Sequence, residues 1–163
     1  MTYIRSITRT NAPAATILIR VVVGLVFFGE GVQKFLYPAE VGAGRFAKIP
    51  IPNPEMTASL VGLAEIVCGV LLIIGLFTRI AALPLIIIML TALFTTKLPI
   101  LLGTDFLGFS LRKLSYYGFW GFLHESRTDL AMLFGSLFLL IVGAGPWSVD
   151  ARLSNGSSNE RSG

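Results

Sequence analysis

The chain has 163 residues, of which 54% are hydrophobic and 13% charged, and its mean hydropathy is +0.77. That balance excludes a water-soluble domain of this size, which needs far more polar surface. The formal charge of +4 suits a membrane protein with Lys and Arg in its loops, and no basic run points to nucleic acid. A single Cys68 excludes an intrachain disulfide. A single His124 excludes a bis-histidine haem or a three-histidine zinc site within one chain. No intrinsic metal, haem or dithiol centre is therefore expected, and any oxidoreductase role needs a partner or a quinone.

In chain order, Arg5 and Arg9 precede an apolar run and imitate a secretory signal. The small residues Ala12, Ala14 and Ala15 come before that run instead of after it, and Arg20 interrupts it, so a retained first span over about residues 14–36 is expected. Pro38 ends it. A connection rich in Gly and Pro leads to Asn53, placed to cap a helix that begins at Pro54. The second span covers about residues 57–77 and buries Glu65. The third, about 80–96, carries no charge until Lys97, and Pro84 falls in its first turn.

The connection over residues 98–127 contains PILLG and YYGFWGF, which suit the headgroup boundary better than water. The fourth span is expected over about residues 129–147, with GAGPW as its stop and Trp147 as an interfacial anchor. A polar tail, 154–163, reads as disordered. The pattern predicts an all-α integral membrane protein: one four-helix bundle over residues 1–153 with a long aromatic interfacial connection between its third and fourth helices. The positive-inside rule leaves orientation close to a tie.

An ionisable side chain at the centre of a membrane helix costs roughly 2.5–3.5 kcal/mol, so Arg20 and Glu65 are expected to pair in the middle of the bundle. Gly24, Gly31 and Lys34 share the Arg20 face, while Gly62 and Gly69 share the Glu65 face. This is the small-residue pattern that lets membrane helices approach. Topology gathers a second group, a polar vestibule of Glu30, Gln33, Lys34, Lys97, His124, Glu125, Arg127 and Asp129. Such a vestibule suits a quinone head group or a proton path. Plainer roles stand beside these: a register-fixing ion pair for Arg20 and Glu65, snorkelling to phosphates for Lys34, Lys97 and Arg127, and interfacial packing for His124. Cys68 reads as a small core residue.

The run RVVVGLVFFGEGVQK, with Arg20, Gly24, Gly31 and Lys34, resembles the opening pattern of the DoxX family of small bacterial inner-membrane proteins. EIVCGVLLIIGLFTRIAA is similar to its glutamate helix and glycine-to-arginine turn, carried by Glu65, Gly69, Gly75 and Arg79. GAGPWSVD resembles the terminal motif, with Gly143, Gly145, Ser148 and Asp150. The chain departs from the family in its long aromatic third connection and in Asp129, where a glutamate is expected. The resemblance implies a four-helix, multi-pass inner-membrane bundle associated with respiratory or thiol-linked redox complexes. The leading expectation is an accessory subunit that binds a quinone or lipid head group at the Arg20/Glu65 site. The alternatives are a non-catalytic assembly scaffold and an oligomeric small-molecule transporter, the glycine-lined faces permitting homo-oligomers.

Overall fold

The computed structural model describes residues 12–159, so Arg5, Arg9 and the last four residues of the tail lie outside the described residues. The described helices are α1 (Thr16–Leu36), α2 (Ala43–Phe46), α3 (Pro54–Ile74), α4 (Thr78–Ala92), α5 (Leu98–Leu102), α6 (Phe119–Val142) and α7 (Val149–Asn159). A π-helical turn, Leu93–Lys97, joins α4 to α5. Among the described residues three stretches are long and apolar enough to cross a membrane: Thr16–Leu36, Pro54–Ile74 and the continuous run Thr78–Leu102. Their outer faces expose Leu18, Val22, Leu60 and Ile87, as a lipid solvent requires.

The fourth long helix differs from the expected one. α6 starts at Phe119, absorbing the end of the aromatic run, and stops at Gly143, whose φ of +90° breaks the helix. Its first half carries His124, Glu125, Arg127 and Asp129. The apolar remainder, residues 130–142, spans about 20 Å at 1.5 Å per residue, short of a hydrocarbon core of about 30 Å. The aromatic connection is correspondingly shorter and runs over residues 103–118. The tail also differs, since α7 carries helix to Asn159 where disorder is expected from residue 154.

Smaller departures have local causes. α3 does begin at Pro54, yet Asn53 adopts a left-handed conformation and makes no side-chain cap. α4 begins at Thr78, which places Pro84 inside the helix beyond its first turn. The π turn lies just before Pro99, a residue without an N–H whose ring crowds the carbonyl four residues back. Thr95 and Thr96 hydroxyls donate to the carbonyls of Thr91 and Ala92 (2.8 and 2.7 Å), a pattern that bends helices.

Packing is pairwise. α1 lies closely along α3 and α4 along α6, while α3 meets α4, and α1 meets α6, less extensively. The α1–α3 seam is built from glycines: a Cβ on Gly24 would lie 2.8 Å from the Gly69 carbonyl oxygen, and one on Gly31 only 2.6 Å from that of Gly62. Phe27, Leu72, Leu85 and Leu139 bring one buried residue from each long helix into the core between the pairs. Because backbone faces backbone at the seam, Gly31→Val is expected to cost about 1–3 kcal/mol or more. The measurement is thermal unfolding in detergent, and an unchanged midpoint would rule out the close approach.

Candidate functional site

The buried charges of this bundle collect at its two ends, and they do so in pairs different from those expected. Arg20, 2% exposed, points toward the end where the α3–α4 turn and the α6–α7 connection meet. Its guanidinium donates to the carbonyl oxygens of Ala144 (2.6 Å) and Trp147 (2.7 Å). Asp150 accepts from the backbone N–H groups of Phe77 (2.8 Å) and Thr78 (3.0 Å), capping α4 in the way a carboxylate suits a helix start. Its own N–H donates to Gly75 O at 2.9 Å. Ser148 bonds Gly145 O and the Ala151 N–H, and Arg79 reaches Ile141 O at 3.0 Å. Gly75 needs its missing side chain, because its φ is +71° and a Cβ would sit 2.6 Å from the Arg20 guanidinium. These residues form a knot that ties first helix, central turn and last segment together.

Glu65 lies toward the other end. Its carboxylate, 2% exposed, accepts from Lys34 Nζ at 2.6 Å. The expected Arg20–Glu65 pair is thus absent, and the reason is geometric. The Gly24/Gly69 and Gly31/Gly62 contacts set an antiparallel register that leaves Arg20 level with Ile73, roughly 12 Å along the axis from Glu65. Helical side chains lean toward their own N-terminus. That lean carries Lys34 and Glu65 toward each other and Arg20 away.

Across the bundle, Lys97 at the end of the π turn donates to Glu125 O at 2.6 Å and lies 3.3 Å from the Asp129 carboxylate. Glu125 in turn pairs with Arg112 of the 103–118 connection. Both lysine–carboxylate pairs line one cavity of about 440 Å³ between the α1/α3 and α4/α6 pairs. Glu30 and Arg45 stand at it too, and Val26, Phe27, Ile88 and Met132 supply apolar walls. The connection between α1 and α3 contributes Phe46, Ile49 and Ile51.

The expected vestibule is therefore divided. Glu30, Lys34, Lys97, Glu125 and Asp129 face the cavity, joined by Glu65 and by Arg45, which sequence reasoning overlooked as an ordinary loop cation. Gln33 is exposed and does not line it. His124 and Arg127 are also exposed and engage each other, Arg127 Nη1 lying 2.9 Å from His124 Nδ1. His124 instead borders a smaller pocket of about 150 Å³ with Tyr116 and Gly121. Gly24, Gly31, Gly62 and Gly69 all serve the α1–α3 seam. Among the described residues no three His, Cys, Asp or Glu side chains gather as a metal would require.

Residues 15–98, which hold Arg20, Lys34, Glu65 and the α3–α4 turn, match the DoxX family profile. The chain belongs to the DoxX family. It is also 51% identical over 144 residues to the "Uncharacterized membrane protein Rv3486" of Mycobacterium tuberculosis, covering 88% of this chain and 84% of that protein. No solved structure matches it. This DoxX chain is accordingly a membrane protein. Two of the motifs that carried the resemblance, the glycine-to-arginine turn and GAGPWSVD, meet in the Arg20–Asp150 knot.

The two ends should separate in double-mutant cycles read by unfolding in detergent. Lys34→Met and Glu65→Gln are expected to couple by about 1–3 kcal/mol, whereas Arg20→Met and Glu65→Gln add to within about 0.5 kcal/mol. Strong coupling of the second pair would contradict the register. Arg20→Met alone is expected to cost about 3 kcal/mol, since two charged hydrogen bonds are lost, one buried and one part-buried. Asp150→Asn in that background should cost less than it does alone, because the knot is already open.

Proposed function

We propose that this DoxX protein is a ligand-binding accessory subunit of a bacterial inner-membrane redox system, holding a quinone or lipid head group between its helix pairs. α6 completes a four-helix bundle as the fourth crossing, its charged first half facing the cavity and the interface. The observation that carries this reading is the cavity of about 440 Å³ with a lysine–carboxylate pair on each opposing wall. That volume is within the usual range for small-molecule sites, roughly 300–1,000 Å³, and few polar groups amid apolar lining is their usual chemistry. A lysine offers up to three donors, so Lys34 and Lys97 each retain capacity for a carbonyl or phosphate oxygen while paired. Electrons come from a partner, as no redox centre is proposed within the chain.

The test is organic extraction and mass spectrometry of the detergent-purified protein, followed by titration of the stripped protein with a short-chain quinone and with phospholipids. One of these classes is expected to copurify and rebind. Lys97→Met and Lys34→Met are each expected to weaken rebinding about tenfold. A stripped protein that binds neither class sinks the proposal.

A second reading, a scaffold subunit, is favoured by one observation. The 103–118 connection is held in a defined position, Phe106 and Phe109 packing edge-on against Phe94 and Arg112 pairing with Glu125, while Leu107 and Tyr116 remain exposed. Replacing residues 106–115 by a Gly/Ser linker would then abolish capture of a partner complex with head-group binding intact. Unchanged capture argues against the scaffold.

A further inference from the structure

The charges around the cavity do not all cancel. Lys34 is satisfied by Glu65, Lys97 by Asp129, and Glu125 by Arg112. Glu30 and Arg45 line the same cavity, both exposed, and neither forms an ion pair among the described residues, with each other or with a third group. Glu30 comes from α1, and Arg45 from α2 in the connection outside the spans.

Three kinds of head group meet this pattern differently. A neutral quinone leaves both charges unanswered. An anionic head group answers Arg45 and is repelled by Glu30. A zwitterion answers both with charge-assisted hydrogen bonds, the stronger class of such bonds.

The apolar part of the cavity points to the source of that zwitterion. Val26, Ile88 and Met132 are apolar lining on three of the long helices, and Ile87, which also lines the cavity, is 63% exposed. Apolar walls on membrane-spanning helices, one of them exposed, suit a hydrocarbon chain attached to the head group better than a free water-soluble ligand. We infer that the cavity takes a zwitterionic amine–phosphate head group, its ammonium on Glu30 and its phosphate on Arg45, carried by an aminophospholipid. This inference rests on the reading of the cavity as a lipid-phase ligand site, and it names the ligand class.

The test uses the full chain, stripped of lipid in detergent and examined by native mass spectrometry. The probes are phosphatidylethanolamine, phosphatidylglycerol, a short-chain quinone and free phosphoethanolamine. Phosphatidylethanolamine is expected to bind about tenfold better than phosphatidylglycerol. Glu30→Gln is expected to remove most of that preference and Glu30→Lys to reverse it toward phosphatidylglycerol, whereas Arg45→Gln, which loses the phosphate partner common to both lipids, is expected to weaken both about tenfold. Thermal unfolding of each variant checks that the bundle is intact.

Phosphoethanolamine competing as well as the lipid would support the zwitterion and overturn the lipid as its source. Equal binding of the two phospholipids, a preference insensitive to Glu30, or phospholipid binding insensitive to Arg45 overturns the inference. Quinone binding alone overturns it too, while leaving the proposed function standing. Binding of no probe removes both.

Discussion

The contact on which the structure depends is the meeting of two backbones. At Gly24 against Gly69 and at Gly31 against Gly62, α1 and α3 come so close that no side chain fits between them. In lipid, where burial of apolar surface gives helices no reason to associate, such close packing is a principal source of association. It also sets the axial register, and the register decides which charges meet. Lys34 reaches Glu65 because the glycines hold α1 and α3 at that offset, and Arg20 is left to the opposite end.

From that constraint follows a bundle with unlike ends. One end is closed by directional bonds: Arg20 on two carbonyls, Asp150 across the start of α4, and Arg79 on the end of α6. At the other end the helix pairs stand apart around a cavity, and each pair neutralises its own lysine. Polar groups in a low-dielectric bundle must be satisfied locally. Here that requirement makes rigid structure at one end and a chemically lined space at the other.

Much of this was legible in the sequence. The apolar runs located three long helices, the glycine spacing marked the α1–α3 seam, and most of the second polar group does face one space. The cost of unpaired charge predicts that Arg20 and Glu65 find partners but does not say which, and the glycine register with the N-terminal lean of helical side chains decides against their pairing with each other. The same rule favours Lys34. The fourth long helix, expected from about residue 129, starts at Phe119, so His124, Glu125 and Arg127 also lie within it. Arg45 carried no signal at all. Only the fold of the connection, which brings α2 over the cavity, gives it a role.

The knot has a consequence for how the protein is made. Arg20 bonds to carbonyls 124 and 127 residues further along the chain. At translation rates of about 5–20 residues per second, the guanidinium waits roughly 6–25 s for its partners. During that interval an unsatisfied cation sits in an apolar helix already being delivered to the membrane. Until the last segment arrives, water or lipid phosphates stand in for the carbonyls, which the place of Arg20 about one turn from the start of α1 lets a snorkelling side chain reach. Locking of the bundle thus waits on residues 144–147, and a chain cut short before them leaves the guanidinium without its carbonyls.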